Sequence, residues 1–346
     1  MFNRYTTKIV KVKNITIGHS DNVVVQSMTN TKTSRINDTL KQINQLIKYG
    51  CEIVRVAVID EDDLKALKQI VKIVKIPLVA DIQYDYKLAI GAIKAGVAKI
   101  RINPGNFPNL DNFKEVISLC NKFKTAMRIG MNTGSLPINV KTNQQIINLV
   151  TKYVKTCEEH NFFNIVLSIK DTDPKRTIQL YKLLAKNFAY PLHVGVTEAG
   201  DIYTSSVRST IALYELIKKY QIGNTIRISI TGDPVQEVKL AKVLLQECGI
   251  KTKLTHYISC PTCGRIGKHY FELQNKIKQF IDQNPKDNLA VAVMGCTVNG
   301  VQESKKADLG IYCYQNKFVI YYRNIFIGKY GFNSAIKKFI ELYNKH

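Results

Sequence analysis

Three cysteines and one glutamate in the last ninety residues have the types and spacing of metal ligands. Cys260 and Cys263 form a C-x2-C pair, Cys296 follows 33 residues later, and Glu303 comes seven residues after Cys296. Three thiolates and one further ligand are what an iron–sulfur cluster or a zinc ion requires. Either group would decide which class of reaction the chain supports.

The possible roles of these thiols differ in what else they require. A redox dithiol of the thioredoxin type opens the first helix of a βαβ unit, whereas this pair lies late in the chain. A structural zinc site usually has a second C-x2-C or a histidine pair, and His256 and His269 are poorly spaced for that. Because soft thiolates favour iron, we prefer a cluster with Glu303, on a loop containing Gly and Asn, as its oxygen ligand. Spacing alone leaves the zinc site open.

The remaining cysteines are expected to be reduced residues of the core. They lie singly in apolar or helical stretches, and no secretory signal or apolar run of roughly 18 residues is present. We therefore expect a cytoplasmic protein that is neither disulfide-bonded nor embedded in a membrane. The five cysteines are Cys51, Cys120, Cys157, Cys248 and Cys313.

A second set of polar residues interrupts apolar, strand-like segments. Only ten of the 50 basic residues are arginine, yet four of these ten fall on such segments. A charge in an apolar strand is costly unless it is paired or binds a ligand, and arginine suits phosphate or carboxylate. The excess of positive charge predicts a strongly anionic ligand such as a di- or polyphosphate. The polar residues at equivalent strand ends are Gln26, Arg55, Asp81, Arg101, Asn103, Arg128, Asn132, Lys170, Glu198, Arg227, Ser229 and Thr231.

Strand-like and amphipathic segments alternate up to about residue 250, which predicts repeated βα units. Eight such units match a (β/α)8 TIM barrel, in which the C-terminal ends of the strands form one mouth. An open doubly wound sheet is the alternative, but no G-x-G-x-x-G or P-loop is present. The predicted strands are 23–28, 53–58, 77–82, 99–103, 126–131, 164–170, 191–198 and 225–230.

The pattern changes after Gly249, where a small α+β domain built around the cysteines is expected. Its predicted strands are 251–257, 289–294 and 318–327, the last with a tight turn at Arg323-Asn324, and its helices are 265–282 and 333–343. The sequence thus predicts a barrel domain at 1–254 that binds the substrate and a metal-binding domain at 255–346.

The net charge of +23 could indicate a nucleic-acid-binding protein. However, the lysines are scattered without a block of five or six like charges, which is typical of a solvated surface. The positive field could also steer an acidic partner or an anionic substrate. Nucleic-acid binding leaves the strand-end arginines unexplained, so we do not expect it.

Longer motifs resemble the family of bacterial 4-hydroxy-3-methylbut-2-enyl diphosphate synthases over essentially the full chain. The resemblance implies a (β/α)8 barrel followed by a ferredoxin/sulfite-reductase-like domain with a [4Fe–4S] cluster. It also implies the reductive opening of 2-C-methyl-D-erythritol 2,4-cyclodiphosphate in the non-mevalonate isoprenoid pathway, with electrons from reduced flavodoxin or ferredoxin. The similar segments are 25–31, 100–106, 128–136, 193–200, 225–234, 259–265 and 294–303.

The same resemblance assigns expected roles position by position. Cys260, Cys263, Cys296 and Glu303 would be the cluster ligands, with Glu303 able to leave one iron open. Glu198 would be a proton donor near the reacting hydroxyl group. The family forms a homodimer in which the cluster domain of one chain covers the barrel mouth of the other. The expected substrate-binding residues are Arg55, Asp81, Arg101, Arg128, Asn132, Lys170, Arg227, Ser229 and, beside the cluster, Asn299.

The chain departs from the family pattern at a few positions. Val301-Gln302 replaces Pro-Gly before the ligand glutamate, Gln83 replaces a histidine, and a glycine-rich turn is replaced at 312–314. These changes put in doubt the loop before Glu303 and any role for Gln83. A competing enzyme is a phosphate-substrate lyase or aldolase, with Lys170 forming a Schiff base and a structural zinc tail.

Overall fold

The computed structural model describes all residues, Met1–His346, and they form two compact units. Met1–Ile250 is called the barrel unit and Lys251–His346 the thiol unit. None of the helices combines the length and apolar character that a membrane crossing requires.

The barrel unit contains an antiparallel hairpin, β1–β2, and eight parallel strands in the order β8-β7-β6-β5-β4-β3-β10-β9. The ring nearly closes between β8 and β9, where Leu167 bridges to Leu192 and its N–H donates to Pro191 O at 2.9 Å. The predicted (β/α)8 barrel is therefore confirmed. The strands are β1 (Val10–Val12), β2 (Ile15–Ile17), β3 (Val24–Met28), β4 (Ile53–Val58), β5 (Leu78–Ile82), β6 (Lys99–Ile102), β7 (Ala126–Asn132), β8 (Ile165–Lys170), β9 (His193–Val194) and β10 (Thr225–Ile226).

A helix follows each parallel strand, and most of these helices begin at a side chain that caps them. Asp60, Asp173 and Asp233, for example, each accept a hydrogen bond from a backbone N–H of the first turn. These caps fix where each helix starts, and so the length of each loop at the mouth. The helices are α1 (Ile36–Lys48), α2 (Glu61–Ile73), α3 (Tyr86–Lys94), α4 (Leu110–Phe123), α5 (Asn143–Glu159), α6 (Pro174–Asn187), α7 (Ile202–Tyr214) and α8 (Pro234–Glu247).

Alternation along the strands separates an outer core from the barrel interior. Val54, Val56 and Val58 of β4 pack outward beneath the helices. The first inward residue of several strands instead joins a small apolar cluster with the β1–β2 hairpin, which covers the N-terminal end of the barrel. The polar interior is therefore open at the C-terminal end alone. The cluster contains Val10, Val12, Ile17, Val24, Ile53, Val79, Ala126 and Val166.

Two predicted strands are much shorter than expected. The segment 191–198 is extended in the sheet only at His193–Val194, and 225–230 only at Thr225–Ile226. Gly195 lies where the first of these ends, and a Cβ there would come within 2.4 Å of Arg227 O and 2.6 Å of Lys170 Nζ. Beyond Val194, the strand pairing ends, and the Lys170 side chain occupies the space in which a side chain at position 195 would lie.

The thiol unit is a five-stranded sheet in the order β11-β12-β13-β14-β15, with the first three strands parallel and the last three antiparallel. Segment 318–327 is not one strand: the chain reverses at Arg323-Asn324, both at positive φ. The elements are β11 (His256–Ser259), α9 (Tyr270–Gln283), β12 (Ala290–Met294), α10 (Thr297–Lys306), β13 (Leu309–Tyr314), β14 (Lys317–Tyr322), β15 (Ile325–Tyr330) and α11 (Phe332–Lys345).

The expectation that Glu303 lies on a loop is wrong, since it belongs to α10. This helix packs closely on β13 because two glycines lack side chains at the contact. A Cβ on Gly300 would lie 2.7 Å from Tyr312 Cβ, and a Cβ on Gly310 would lie 2.2 Å from Ser304 Cα. Tertiary packing thus overrides the weak helix propensity of the Asn-Gly sequence.

Candidate active site

The C-terminal ends of the barrel strands surround a cavity of about 130 Å³. All eight barrel residues that were expected to bind substrate line it, together with Gln83, Ser168 and Thr197. Pockets for drug-sized ligands begin at roughly 300 Å³, so this cavity suits the charged end of a small anion. The expected residues that it brings together are Arg55, Asp81, Arg101, Arg128, Asn132, Lys170, Arg227 and Ser229.

Asp81 of β5 holds two of the arginines. Arg101 Nη1 donates to Asp81 Oδ1 at 3.2 Å, and Arg55 Nε lies 3.9 Å from Asp81 Oδ2. Burial alone would raise the pKa of Asp81, but the surrounding arginines outweigh it and hold that pKa below its usual value. Asp81 is therefore a carboxylate that fixes guanidinium groups.

Gln83, for which no role was expected, supports this carboxylate. Its Nε2 donates to Asp81 Oδ2 at 3.2 Å, and its Oε1 accepts from Asn106 Nδ2 at 3.2 Å. The Gln83 amide thus donates to the carboxylate while accepting from Asn106, and it does so at any pH.

Arg227 is held by a carboxylate that sequence reasoning missed. Its Nε and Nη2 donate to Glu237 Oε2 and Oε1 at 3.1 and 2.9 Å, and the Ser27 hydroxyl donates to Oε2 at 2.7 Å. The Glu237 residue is 2% exposed on the core-facing side of α8. An acidic residue among the apolar positions of an amphipathic helix was the available signal.

The cavity carries more positive than negative charge. Five cations face two carboxylates, Asp81 and Glu237, and Arg128 is 2% exposed with its Nε and Nη1 unpartnered. Burial lowers the pKa of Arg128, and repulsion from Arg55 and Arg101 lowers it further. Burial likewise lowers the pKa of Lys170, helped by Arg227. A buried excess of cations is relieved by an anionic ligand.

Two glycines allow the cations to approach one another. A Cβ on Gly130 would come within 2.9 Å of Ser168 Oγ and 3.1 Å of Arg128 Nε. The Gly130 carbonyl also accepts a hydrogen bond from Arg101 Nε at 3.1 Å. The close fit at this position and at Gly195 shows that the charged side chains are packed rather than loosely placed.

Glu198, the expected proton donor, lies apart from the cavity wall. It is exposed on the loop after β9 and has a φ of 49°, a left-handed conformation that is rare for glutamate. Strained backbone of this kind often marks a functional position. The structure therefore places Glu198 beyond the mouth and not among the residues that line the cavity.

The expected cysteine ligands lie on adjoining segments of the thiol unit. Cys260 follows β11, and Cys296 precedes α10 without using its thiol as a cap. Cys260 N donates to Val293 O at 3.2 Å, and Cys260 Sγ would lie 3.5 Å from a Cβ on Gly295. The absence of a side chain at Gly295 therefore leaves space beside this thiol. Cys263 is exposed.

Glu303 lies nearly two turns into α10, seven residues after Cys296, which immediately precedes the helix. The carboxylate is one-third exposed, and its Oε1 lies 3.6 Å from Lys306 Nζ. Asn299 is exposed on the same helix. No three His, Cys, Asp or Glu side chains of the structure are gathered as ligands of one ion. Three thiols on adjoining segments and a carboxylate nevertheless form a donor set that fits an iron–sulfur cluster.

The other five cysteines are all buried, which confirms that they are core residues. Burial raises the pKa of the Cys51 thiol to about 12, so this group is inert at neutral pH.

Solved structures that resemble the chain share its barrel. Dihydropteroate synthase from Yersinia pestis superposes with a TM-score of 0.52 and 12% sequence identity, covering 70% of this chain and 98% of that one. The likeness at this identity concerns the fold alone.

Sequence comparisons cover both units. The GcpE TIM-barrel domain matches residues 7–242, and the GcpE protein C-terminal domain matches 256–345. A relative from Malacoplasma penetrans is 42% identical over 89% of this chain and 86% of its own length. One from Clostridium perfringens is 39% identical over 98% of this chain and 99% of its own. Both are named 4-hydroxy-3-methylbut-2-en-1-yl diphosphate synthase (flavodoxin). The chain therefore belongs to the GcpE family.

Proposed function

We propose that this protein is an iron–sulfur oxidoreductase that opens 2-C-methyl-D-erythritol 2,4-cyclodiphosphate to 4-hydroxy-3-methylbut-2-enyl diphosphate. The observation that carries the proposal is the set of five cations at the barrel mouth, in a chain whose relatives are named as synthases of that diphosphate. Residues 1–254 would bind the substrate and residues 255–346 the cluster.

The mouth would bind the diphosphate through donors that are already oriented. Arg101 uses Nε on Gly130 O and Nη1 on Asp81, which leaves Nη2 for a ligand. Arg227 uses Nε and Nη2 on Glu237, which leaves Nη1. Since these contacts fix the guanidinium planes before binding, little conformational entropy is lost when the diphosphate arrives.

The same cations would favour the reaction as well as binding. Breaking the ring C–O bond frees a phosphate oxygen, so negative charge grows on the diphosphate. Fixed cations such as Arg128 and Lys170 stabilise that charge more strongly in a buried site than in water. Asn132 and Ser229, which line the cavity, would assist as neutral hydrogen-bonding groups.

Cys260, Cys263 and Cys296 would hold a [4Fe–4S] cluster by thiolate, with Glu303 as an exchangeable oxygen ligand and Asn299 beside it. When bound, the cluster supplies two electrons one at a time and a Lewis-acidic iron. Glu198 would donate the proton that turns the departing hydroxide into water. The loop that carries Glu198 extends beyond the cavity, as a proton donor to the outer part of the substrate requires.

The electron donor would be reduced flavodoxin or ferredoxin in the cytoplasm. The net charge of +23 would steer such a donor if it is acidic. The enzyme would be a homodimer in which the cluster domain of one chain serves the barrel of the other. Mixing Cys296→Ser and Arg101→Met chains would then restore part of the activity that each lacks alone, whereas a site built within one chain would stay inactive.

The principal test is an anaerobic reconstitution of the full chain. We expect about four irons and four sulfides per chain, and conversion of the cyclodiphosphate when a reduced flavodoxin is supplied. Arg101→Met should keep the iron and lose conversion. A preparation that binds zinc but no iron would overturn the proposal.

The alternative of a Schiff-base lyase with a zinc tail is not favoured by the relatives. The lowered pKa of Lys170 would suit that chemistry. Borohydride trapping of a phosphorylated carbonyl substrate on Lys170 would support the lyase.

A further inference from the structure

Beneath the mouth, the barrel interior contains polar side chains that the proposed function leaves without a role. Gln26, Lys99 and His193 are called the inner layer. They precede inward-facing mouth positions by two residues, Lys99 before Arg101 on β6 and His193 before Gly195 on β9, so alternation directs them inward. All three are at most 1% exposed.

The inner layer contains unpartnered polar atoms. Lys99 Nζ, His193 Nε2 and both amide atoms of Gln26 have no hydrogen-bond partner, and neither do Nε and Nη1 of Arg128. His193 Nδ1 is paired with Thr225 Oγ1 at 2.8 Å, so only its second nitrogen is unpartnered. Most buried polar groups are paired, and a group of exceptions in one place calls for a physical reason.

The charges that surround Lys99 are almost all positive. Lys99 pairs in register with Val79, and Asp81, two residues further along β5, is already engaged by Arg55 and Arg101. The other carboxylate, Glu237 of α8, is engaged by Arg227. The titratable or charged groups of the interior are, strand by strand, Arg55 of β4, Asp81 of β5, Arg101 of β6, Arg128 of β7, Lys170 of β8, His193 of β9 and Arg227 of β10.

A buried ammonium group without a partner, among cations, is strongly disfavoured. Burial lowers the pKa of Lys99 well below its usual value, and Arg128 and Arg55 lower it further. Burial and the same cations also lower the pKa of His193. The empty barrel therefore reduces its excess charge by releasing protons from groups that can lose them, since arginine holds its proton.

We propose that Lys99 takes up a proton from solvent when a diphosphate enters the mouth, and that the resulting ammonium ion adds to the positive charge that holds the ligand. This rests on the proposed function only in that the ligand is a diphosphate. The ligand's negative charge reverses the repulsion that keeps Lys99 neutral, so its amine becomes an ammonium ion. Binding and proton uptake are then linked, and affinity rises as the pH falls between the usual lysine value and the lowered one.

Lys170 and His193 contribute to the same uptake, so the test is a difference between variants. Isothermal titration of inorganic diphosphate into the full-length, anaerobically reconstituted protein, in two buffers of different ionisation enthalpy at one pH, counts the protons taken up. Lys99→Met and Lys99→Arg should both take up fewer protons than wild type, by up to about one per site. Lys99→Arg should keep the affinity because arginine remains charged, whereas Lys99→Met should weaken it. Lys94→Met, at an exposed position of α3, is the matched control and should behave as wild type.

Equal proton uptake in wild type and both Lys99 variants would overturn the inference, because a merely structural lysine would not change that number. Methionine is apolar and of similar length, so Lys99→Met should fold; if it does not, Lys99→Arg gives the same proton count. A wild type that shows no diphosphate binding would overturn both proposals. Lys99-dependent uptake in a protein that fails to convert the cyclodiphosphate would sink the proposed function alone.

Discussion

The barrel mouth and the thiol site are constructed in opposite ways. At the mouth, most of the charged side chains are buried, and Arg101 and Arg227 are held by carboxylates or glycine backbone in hydrogen bonds of 2.9 to 3.2 Å. In the thiol unit, Cys263 is exposed, Cys260 and Cys296 are partly exposed, and the Glu303 carboxylate forms an ion pair with Lys306 near the surface. One site is fixed by the fold, whereas the other presents donors at the surface of its unit.

The difference follows from what each group costs when it has no ligand. A buried cation needs a partner at all times, so the fold must supply carboxylates and tolerate residual repulsion. A neutral thiol behaves as a small hydrophobe and needs none. Substitutions at the mouth should therefore change stability together with function, and substitutions at the thiol site should change function alone.

The largest expected effect is that of Cys296→Ser. It should abolish cluster binding and turnover, because a hydroxyl is a poor ligand for iron, while the free energy of unfolding of the metal-free protein stays unchanged. Iron and sulfide assays and chemical denaturation measure the two quantities. Cys120→Ser, in the barrel core, should do the opposite: lower stability with full cluster content. A marked loss of metal-free stability in Cys296→Ser would break the comparison.

Glu198→Gln is expected to have the second largest effect. It tests whether an exposed residue of the barrel unit changes function without changing stability, as expected for the thiol site. Because Glu198 is exposed, the amide should leave the melting temperature unchanged. Removal of a general acid should lower kcat by roughly a hundredfold or more. Glu198→Gly is the companion variant, which should lose the same activity yet gain about 1 kcal/mol from relief of the left-handed backbone. Unchanged kcat in both would remove Glu198 from the mechanism.

Asp81→Asn should lower the free energy of unfolding by about 3 kcal/mol, because it leaves Arg55 and Arg101 without a buried counter-charge. The folded-state pKa of Asp81 is lowered, so its contribution is complete above the usual aspartate pKa. As the pH falls through the lowered value, that contribution disappears and the variant and wild type should converge. Denaturation at neutral and acidic pH measures this. A constant difference across the acidic range would contradict the role assigned to Asp81.

Gly195→Ala should have the smallest of these effects, about 1 to 3 kcal/mol of overpacking. The new methyl group meets Lys170 Nζ and the Arg227 carbonyl, so diphosphate affinity should fall together with stability. Gly134→Ala is a control, since a Cβ there has no atom within 4 Å. Binding by calorimetry and thermal melting compare them; equal behaviour of the two variants would mean that the mouth is less tightly packed than the structure indicates.

The residues that line the mouth could be predicted from the sequence because each is marked by its position within its own strand. Arg101 and Arg128 each interrupt an apolar strand, and strand alternation and barrel topology then place them together. Glu237 could not be found in this way, because it lies on helix α8 and not at the end of a strand, and only the folded structure shows its contacts with Arg227 and Ser27. Lys99 was hidden among forty lysines, and only burial distinguishes it.

The helix that carries Glu303 was missed for a different reason. Asn299 and Gly300 favour a turn locally, and only contact with Gly310 and Tyr312 on β13 stabilises the helix. The early end of β9 is equally tertiary in origin, since Gly195 lies against the Lys170 side chain and the Arg227 carbonyl.

The β1–β2 hairpin determines how ligands can enter and leave the barrel. Val10, Val12 and Ile17 are at most 1% exposed and close the N-terminal end of the barrel, so the mouth is its single opening. A ligand that enters the barrel must leave through the same mouth, past the same cations. Substrate and product must therefore use the same opening. A diphosphate product that dissociates slowly would block the binding of the next substrate molecule. The turnover rate would then depend on how fast the product dissociates from the mouth.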